Sequence, residues 1–524
     1  MAHSKLIESM LDPSFYPHAP ADVKMIQTHI SYIFIAEDLV FKIKKEVDFG
    51  FLDFTTLEKR KYFCNEELRL NKRLAPDTYL SVETLSEASD GSLMWGDNGR
   101  IIEYAVKMKR LPEERILSRI LHTGKIDERI MDAIARRVFT FHEHAETGGE
   151  IDRLGSIETV KKNHIENFVQ TEPFIDITLT EDQFSFIKQY ALSFLSENED
   201  LFKKRVAMHR IRDCHGDLHL QHICLEDGII IFDCIEFNKR FRYLDVAAEI
   251  AFLSMDLDFN GYCKLGDAFI KSYLKYSRDE DIKKLINFYR CYFAYVRGKV
   301  TGFVVNDQSV GQKEQQTAAL TASKYFELSF RYAAAFEKPV LIITAGLMGT
   351  GKSILAQGLA KILKAEIIRS DVVRKELRQM PPLERHFEQF GEGIYSEDMS
   401  RRTYDKALAS AEIHLKEGRN VIIDASFKKK QERQNASALA EKLAAHFFIL
   451  ECVCPEKIIK DRLEARVKNG ADPSDGRWEI FQKQKNDFEP VKEEICGEYH
   501  IIVNTSRNPT ACIYDAIRTM KKAG

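Results

Sequence analysis

Short apolar runs punctuate the start of the chain: YIFIA (Tyr32–Ala36), LVFKI (Leu39–Ile43) and IIEYAVKM (Ile101–Met108). Each has the length of a strand, and the first two are close enough to form a hairpin. Between Gly50 and Leu74 the period changes, and CNEELRLNKRL carries its apolar residues at helical spacing. From about Ile126 helical patterns such as RIMDAIARRVFTFHEHA dominate. A strand pair near 223–233 interrupts them, and they resume to about 335. Beyond Lys338-Pro339 the pattern changes again. PVLIITA runs into a glycine-rich turn and a helix, after which helices alternate with EIIRS, NVIIDAS, FFILECV and YHIIVNT. That alternation predicts a parallel α/β sheet. The predicted architecture is two domains. Residues 1–335 are α+β and bilobal, with a small sheet-rich lobe ahead of a mainly helical one, and residues 336–524 are α/β.

Composition narrows the class. Of 524 residues, 44% are apolar and 30% charged, the profile of a soluble globular protein. A formal net charge of −3 gives no reason to expect a nucleic-acid or membrane partner. No run reaches the ~18–20 apolar residues that span a bilayer. The N-terminal residues lack the basic and apolar regions of a signal peptide, so the expected location is cytoplasmic. Ten cysteines, none in a CxxC pair, read as reduced and mostly buried thiols.

Gly346-Leu-Met-Gly349-Thr350-Gly351-Lys352-Ser353 fits GxxxxGK[ST] between a strand and a helix. A loop free of Cβ atoms lets backbone N–H groups wrap phosphate oxygens. Lys352 then reaches the β- and γ-phosphates and Ser353 ligates Mg²⁺. The following helix points its positive end at the same place. Asp424 closes the strand NVIIDAS, where a carboxylate meets Mg²⁺; a cap or turn is the plainer role. Asp371, in SDVVR, sits at a strand's carboxyl end, the substrate side of such sheets. It is a candidate base for an acceptor hydroxyl, with Arg374 as a substrate-anion ligand, or else the N-cap of the next helix. Arg462 and Arg466 lie four apart and share a helical face. They are a candidate phosphate lid, or a solvated basic face. This region, about 338–510, resembles the small P-loop kinases of the AAA_33 and zeta-toxin type, through GLMGTGKS, SDVVRKEL, YSEDMSRRTYDKAL, VIIDASF and RLEAR. The resemblance implies phosphate transfer from ATP to a hydroxyl. Lys428–Lys430 and Arg433 are the only hint of a nucleic-acid groove, and read more simply as a solvated helix start.

The densest chemistry lies at DCHGDLHLQHICLEDGIIIFDCIEF. Three histidines and a cysteine invite a zinc reading, but that leaves Gly216 and Asp217 unexplained. H-x-D, then a hairpin, then a strand-end Asp is the layout of a kinase catalytic loop. Asp217 is then the group that orients and deprotonates the acceptor hydroxyl, and Asp233 the Mg²⁺ ligand. His215 is read as structural and His219 as a loop variant.

HGDLHLQH, FDCIEF and RYLDVAAEIAFL resemble the aminoglycoside phosphotransferase family, whose fold is similar to that of protein kinases. With VFKIKKEVDFGFLDF and CNEELRLNKRLAPDTYL, the chain resembles a kinase-like family fused to the P-loop domain. The resemblance implies that Lys42 binds phosphate, with Lys44 second, and that Glu67 holds it, with Glu66 second. Ile101–Met108 is implied to link the lobes. Two departures stand out: His222 occupies the position where the family has a second metal-ligating Asn, and no GxGxxG lies between the first strands. The implied cofactors are ATP and Mg²⁺, and the implied partners are small hydroxyl acceptors, with nucleic acid less favoured. The rival reading makes the first domain a ligand-sensing pseudokinase that regulates the second.

Overall fold

Along Leu39–Lys44 successive side chains alternate between two hydrophobic layers, and this alternation organises the N-terminal half. Six antiparallel strands form the sheet: β1 (Val23–Gln27), β2 (Ser31–Ala36), β3 (Leu39–Lys44), β4 (Tyr79–Glu87), β5 (Leu93–Trp95) and β6 (Arg100–Lys109), in the order β1-β2-β3-β6-β4-β5. Phe41 and Ile43 join Phe34, Leu85 and Ala105 on one face, under the helix Ala2–Leu11. Val40 faces the opposite layer with Cys64, Tyr79 and Val106, under the helix Leu57–Asn71. Two-residue periodicity therefore sends Lys42 and Lys44 to the Leu57–Asn71 side. Ile101–Met108, expected as the link between lobes, belongs to the central strand β6, which is hydrogen-bonded to β3 and β4. The chain leaves the sheet only after Lys109.

The structure is a computed structural model that describes residues 2–308, 310–381, 396–469, 478–491 and 499–523. It divides into two units, residues 1–179 with 188–329, and residues 180–187 with 330–524. Below its sheet the first unit is helical. Val246–Phe259 is its central helix, buried on every side from Val246 to Leu257, with Glu249, Ser254 and Asp256 set among its mostly apolar residues. Two short ribbons shape the loops beside it. β7 (Ile211–Asp213) pairs with β10 (Tyr243–Asp245), and β8 (Ile223–Cys224) with β9 (Ile230–Ile231).

The second unit carries a parallel sheet of β11 (Val340–Ala345), β12 (Glu366–Arg369), β13 (Val421–Asp424), β14 (His446–Val453) and β15 (His500–Asn504), ordered β12-β13-β11-β14-β15. β11 is buried at every position, which suits a central strand covered on both faces. The glycine turn, Asp424 and Arg369 all stand at the carboxyl ends of these strands, where α/β sheets bind ligands. Among the described residues nine cysteines are free thiols, and no helix is long and apolar enough to cross a membrane.

Candidate functional site

The helix Leu57–Asn71 buries a polar stripe. It begins at Thr56, whose side chain accepts the Lys59 N–H at 3.2 Å. Arg60, Cys64, Glu67 and Asn71 then recur at intervals of three and four, so all face the sheet. Arg60 pairs with Glu103 on β6 at 2.9 Å. Asn71 accepts the Cys234 N–H at 2.9 Å. Glu67, fully buried, holds Lys42 on one oxygen at 2.8 Å and Lys44 on the other at 2.7 Å. Glu66 pairs with Arg69 instead. Lys42 extends on to Asp233, 2.7 Å away, and Lys44 to Glu236.

These buried charges set one another's ionisation. Burial opposes the Lys42 charge, but Asp233 and Glu67 outweigh it and hold the ammonium well above its ordinary range. Burial likewise opposes the Glu67 charge, and the two lysines keep it ionised. Glu236 is the weak member: burial raises it despite Lys44.

The loop carrying Asp217 is pinned from three directions. Glu249, on the buried helix, accepts the N–H groups of His215 at 2.8 Å and Gly216 at 2.6 Å. His142 braces Glu249 from the other side at 2.8 Å. Arg73 donates to the carbonyls of Asp213 at 2.7 Å and Cys214 at 2.9 Å. His215 joins the loop to the Asp233 segment, with Nε2 donating to the Phe232 carbonyl at 2.9 Å and Nδ1 accepting from the Asp217 N–H at 3.3 Å. Burial holds its ring below the usual imidazole range. Asp233 adopts a left-handed backbone, φ 62°, and donates its N–H to the Tyr79 hydroxyl at 3.2 Å. An L-residue held there marks a segment positioned by its surroundings.

His219 and His222 flank Asp217. His219 Nε2 and His222 Nδ1 each lie 3.5 Å from Asp217 Oδ2, and His222 Nε2 lies 3.5 Å from Asp233 Oδ2. Burial opposes ionisation of both aspartates. The flanking histidines win at Asp217, and Lys42 followed by His222 wins at Asp233, so both carboxyls stay well below their ordinary values. Burial and the neighbouring His219 push His222 down to about 4. Thus Lys42, Glu67, Asp233, His222 and Asp217 form one connected chain of contacts. His219 belongs to it too, as a neighbour of the candidate base. At the turn where a glycine loop is missing, Thr28 Oγ1 accepts the N–H groups of Ile30 at 3.3 Å and Ser31 at 2.9 Å.

Glu236, Glu249, His142, Tyr79 and Asn71 went unrecognised in the sequence. Only Glu236 had a local signal, since it stands three residues after Asp233 in FDCIEF.

In the second unit the glycine turn is built as its motif requires. Gly346 has φ 126°, and a Cβ there would lie 2.6 Å from the Cys452 carbonyl oxygen. Gly351 has φ 86° and caps the helix Lys352–Leu363, which contains Ser353. Gly349 is also left-handed, at φ 77°. Lys352 Nζ donates to the Leu347 carbonyl at 2.7 Å, and Thr350 Oγ1 donates to the same carbonyl at 2.8 Å. The lysine therefore folds back over its own loop. Asp424 is buried at the end of β13, 3.4 Å from Arg369 Nε. Asp371 lies in the first turn of the helix Ser370–Leu377, where its side chain holds Arg374 at 2.9 Å. Arg462 is tied to the Thr505 carbonyl at 2.7 Å and packs beside Gly351. It thus stands at the glycine turn. The side chain of Arg466 lies outside the described residues. Lys429 pairs with Asp487 at 2.8 Å, Lys428 also pairs with Asp487, and Arg433 is wholly buried against the carbonyls of Phe427, Glu489 and Pro490. Arg433 is thus internal, Lys428 and Lys429 are half-buried and paired with an acid, and Lys430 is exposed.

Comparison with known proteins follows this division. Residues 341–491 match AAA_33, an AAA domain, so the second unit is a P-loop/AAA-type NTPase domain. Among solved structures, a gluconokinase from Sinorhizobium meliloti is 16% identical, covering 35% of this chain and 93% of its own, with a TM-score of 0.25. The GDP complex of aminoglycoside 2′-phosphotransferase-IIIa is 14% identical, covering 62% of this chain and 98% of its own, with a TM-score of 0.39. At those scores neither likeness bears on function. "Uncharacterized protein Rv2004c" of Mycobacterium tuberculosis and "Uncharacterized protein Mb2027c" of Mycobacterium bovis are each 32% identical over 447 residues, 85% of this chain and 86% of theirs. The match spans most of both chains, and this protein belongs to the family that those mycobacterial proteins represent.

Proposed function

We propose that the protein is an ATP-dependent phosphotransferase with two kinase-type sites, divided at residues 1–335 and 336–524, each acting on a hydroxyl of a small molecule. The observation that carries this reading is the meeting of Lys42, Glu67 and Asp233 beside the braced loop of Asp217. A phosphate-binding lysine, the glutamate that orients it, a cation ligand and a base are the parts that phosphoryl transfer needs. When bound, ATP supplies the phosphoryl group and the divalent cation shields its charge. In the first unit Lys42 holds phosphate, Asp233 and His222 would hold the cation, and Asp217 accepts the proton of the acceptor hydroxyl. The depressed value of Asp217 keeps it ionised and ready to orient that hydroxyl. In the second unit the N–H groups of the glycine turn and Lys352 hold phosphate, and Ser353 and Asp424 would hold Mg²⁺. Asp371 faces the acceptor with Arg374 at its side, and Arg462 adds charge at the glycine turn, with Arg466 four residues on. The pairing of Lys428 and Lys429 with Asp487 and the burial of Arg433 favour a small acceptor over a polynucleotide.

The test is ATP turnover by the full chain across a panel of sugars, nucleosides and other hydroxyl compounds. Asp217→Ala and Lys352→Ala should each remove a separate component of phosphorylated product. A second reading, a first unit that senses ligand and regulates the other, draws on His222 and the missing glycine loop. It gains if Asp217→Ala changes no product while nucleotide still binds that unit.

A further inference from the structure

His222 does more than fill the place of an amide. Its Nδ1 lies 3.0 Å from the backbone carbonyl of Asp217, a pure acceptor, so Nδ1 carries the proton and Nε2 a lone pair. That lone pair faces Asp233 Oδ2 at 3.5 Å. Asp233 Oδ1 is already taken by Lys42 at 2.7 Å, which leaves Oδ2 for another partner. Two acceptors with no proton between them need a cation to join them. Donor atoms about 2.0–2.2 Å from one metal ion stand at such a separation. Fixing an imidazole through its far nitrogen is also how proteins orient metal-binding histidines. The rings of His219, at 4.0 Å, and Phe232, at 5.7 Å, box His222 in place.

The neighbouring alternative is weaker. Asp217, His219 and His222 lie close enough to share an ion. But His219 Nδ1 accepts the Gln221 N–H at 3.3 Å, so its Nε2 carries the proton that faces Asp217. His222 Nδ1 is likewise protonated. Neither ring offers Asp217 a lone pair, whereas His222 offers one to Asp233.

Resting on the nucleotide-binding reading of the first unit, we propose that its cation site takes a first-row transition ion, Mn²⁺ or Co²⁺, in preference to Mg²⁺, with His222 Nε2 as the selecting ligand. Mg²⁺ favours all-oxygen, octahedral surroundings, and an imidazole nitrogen shifts preference along the transition series. The ligands proposed for the second unit, Ser353 and Asp424, are both oxygen donors, so one chain would hold two sites of different cation preference.

Pulsed electron paramagnetic resonance on the full chain with Mn²⁺ and β,γ-methylene-ATP reads the ligand directly. The expected result is an imidazole ¹⁴N modulation that disappears in His222→Asn. In the Lys352→Ala background, the same substitution should shift the ratio of Mn²⁺ to Mg²⁺ affinity toward Mg²⁺ by at least about tenfold. Nucleotide-bound Mn²⁺ without ¹⁴N modulation, or modulation that survives in His222→Asn, overturns the proposal and leaves the kinase reading standing. If Asp233→Asn leaves bound Mn²⁺-nucleotide undiminished, the nucleotide reading of the first unit falls, and the cation proposal with it.

Discussion

Lys42 and Asp233 stand 191 positions apart in sequence, yet the lysine ammonium lies 2.7 Å from the aspartate Oδ1. Replacing Lys42 by Ala removes the cation that faces the site and leaves Glu67 held by Lys44. Turnover assigned to the first unit should fall by about a hundredfold or more, the scale seen when a positioned charge-stabilising donor is lost. Steady-state rates beside a thermal melt check this. The rate should drop far more than the melting point does.

Lys44 should behave in the opposite way. It is buried between Glu67 and Glu236, and Lys44→Met leaves Glu236 without its cation. Breaking such a pair costs about 3–5 kcal/mol. Adding Glu236→Gln should recover part of the loss, because the neutral amide is cheaper to bury. Denaturant unfolding of both variants measures it, and full stability in Lys44→Met alone would contradict the network.

Gly346 separates backbone strain from steric conflict. Gly346→Ala meets both a left-handed φ and the Cys452 carbonyl, whereas Gly418→Ala meets only a left-handed φ, with nothing within 4 Å. Strain of this kind costs roughly 1–3 kcal/mol. The Gly346 variant should exceed its control in unfolding measurements and lose nucleotide affinity at the second site.

His164 gives the first unit an acid limb. It is packed among Phe288 and Tyr292 at 5.0 and 4.7 Å, and burial pushes it from 6.5 down to about 4. Above 6.5 the ring is neutral in both folded and unfolded chains. As pH falls toward 4, only the unfolded chain takes the proton, so stability falls. The loss attributable to His164 should reach roughly 2 kcal/mol by about pH 5. Urea unfolding of His164→Phe, compared with the parent at about pH 7.5 and about pH 5, should show that part of the slope removed.

What was legible in the sequence was local. GLMGTGKS announces a phosphate turn because each glycine answers a nearby backbone constraint, and LVFKIK announces a strand because its alternation is short-range. The spacing of Asp217 and Asp233 was readable because one hairpin joins them. Glu249 and His142 were not, because they reach the loop from distant helices and each looks like an ordinary helix residue. β1 and β4 went unread, since β1, VKMIQ, is a short edge strand without strict alternation, and β4 mixes Ser, Glu and Thr into its apolar pattern. Arg462 was read as a lid from helix spacing alone, and its tie to Thr505 depends on a strand end 43 positions away.

The most direct measurement is the number of nucleotides each chain holds. Isothermal titration of the full chain with β,γ-methylene-ATP and a divalent cation should give two sites. Asp233→Asn should leave the one that depends on Lys352, Lys352→Ala the one that depends on Asp233, and the double variant neither. A single site, abolished by Lys352→Ala and indifferent to Asp233→Asn, would contradict the claim that the charge network around Lys42 is built to hold a nucleotide.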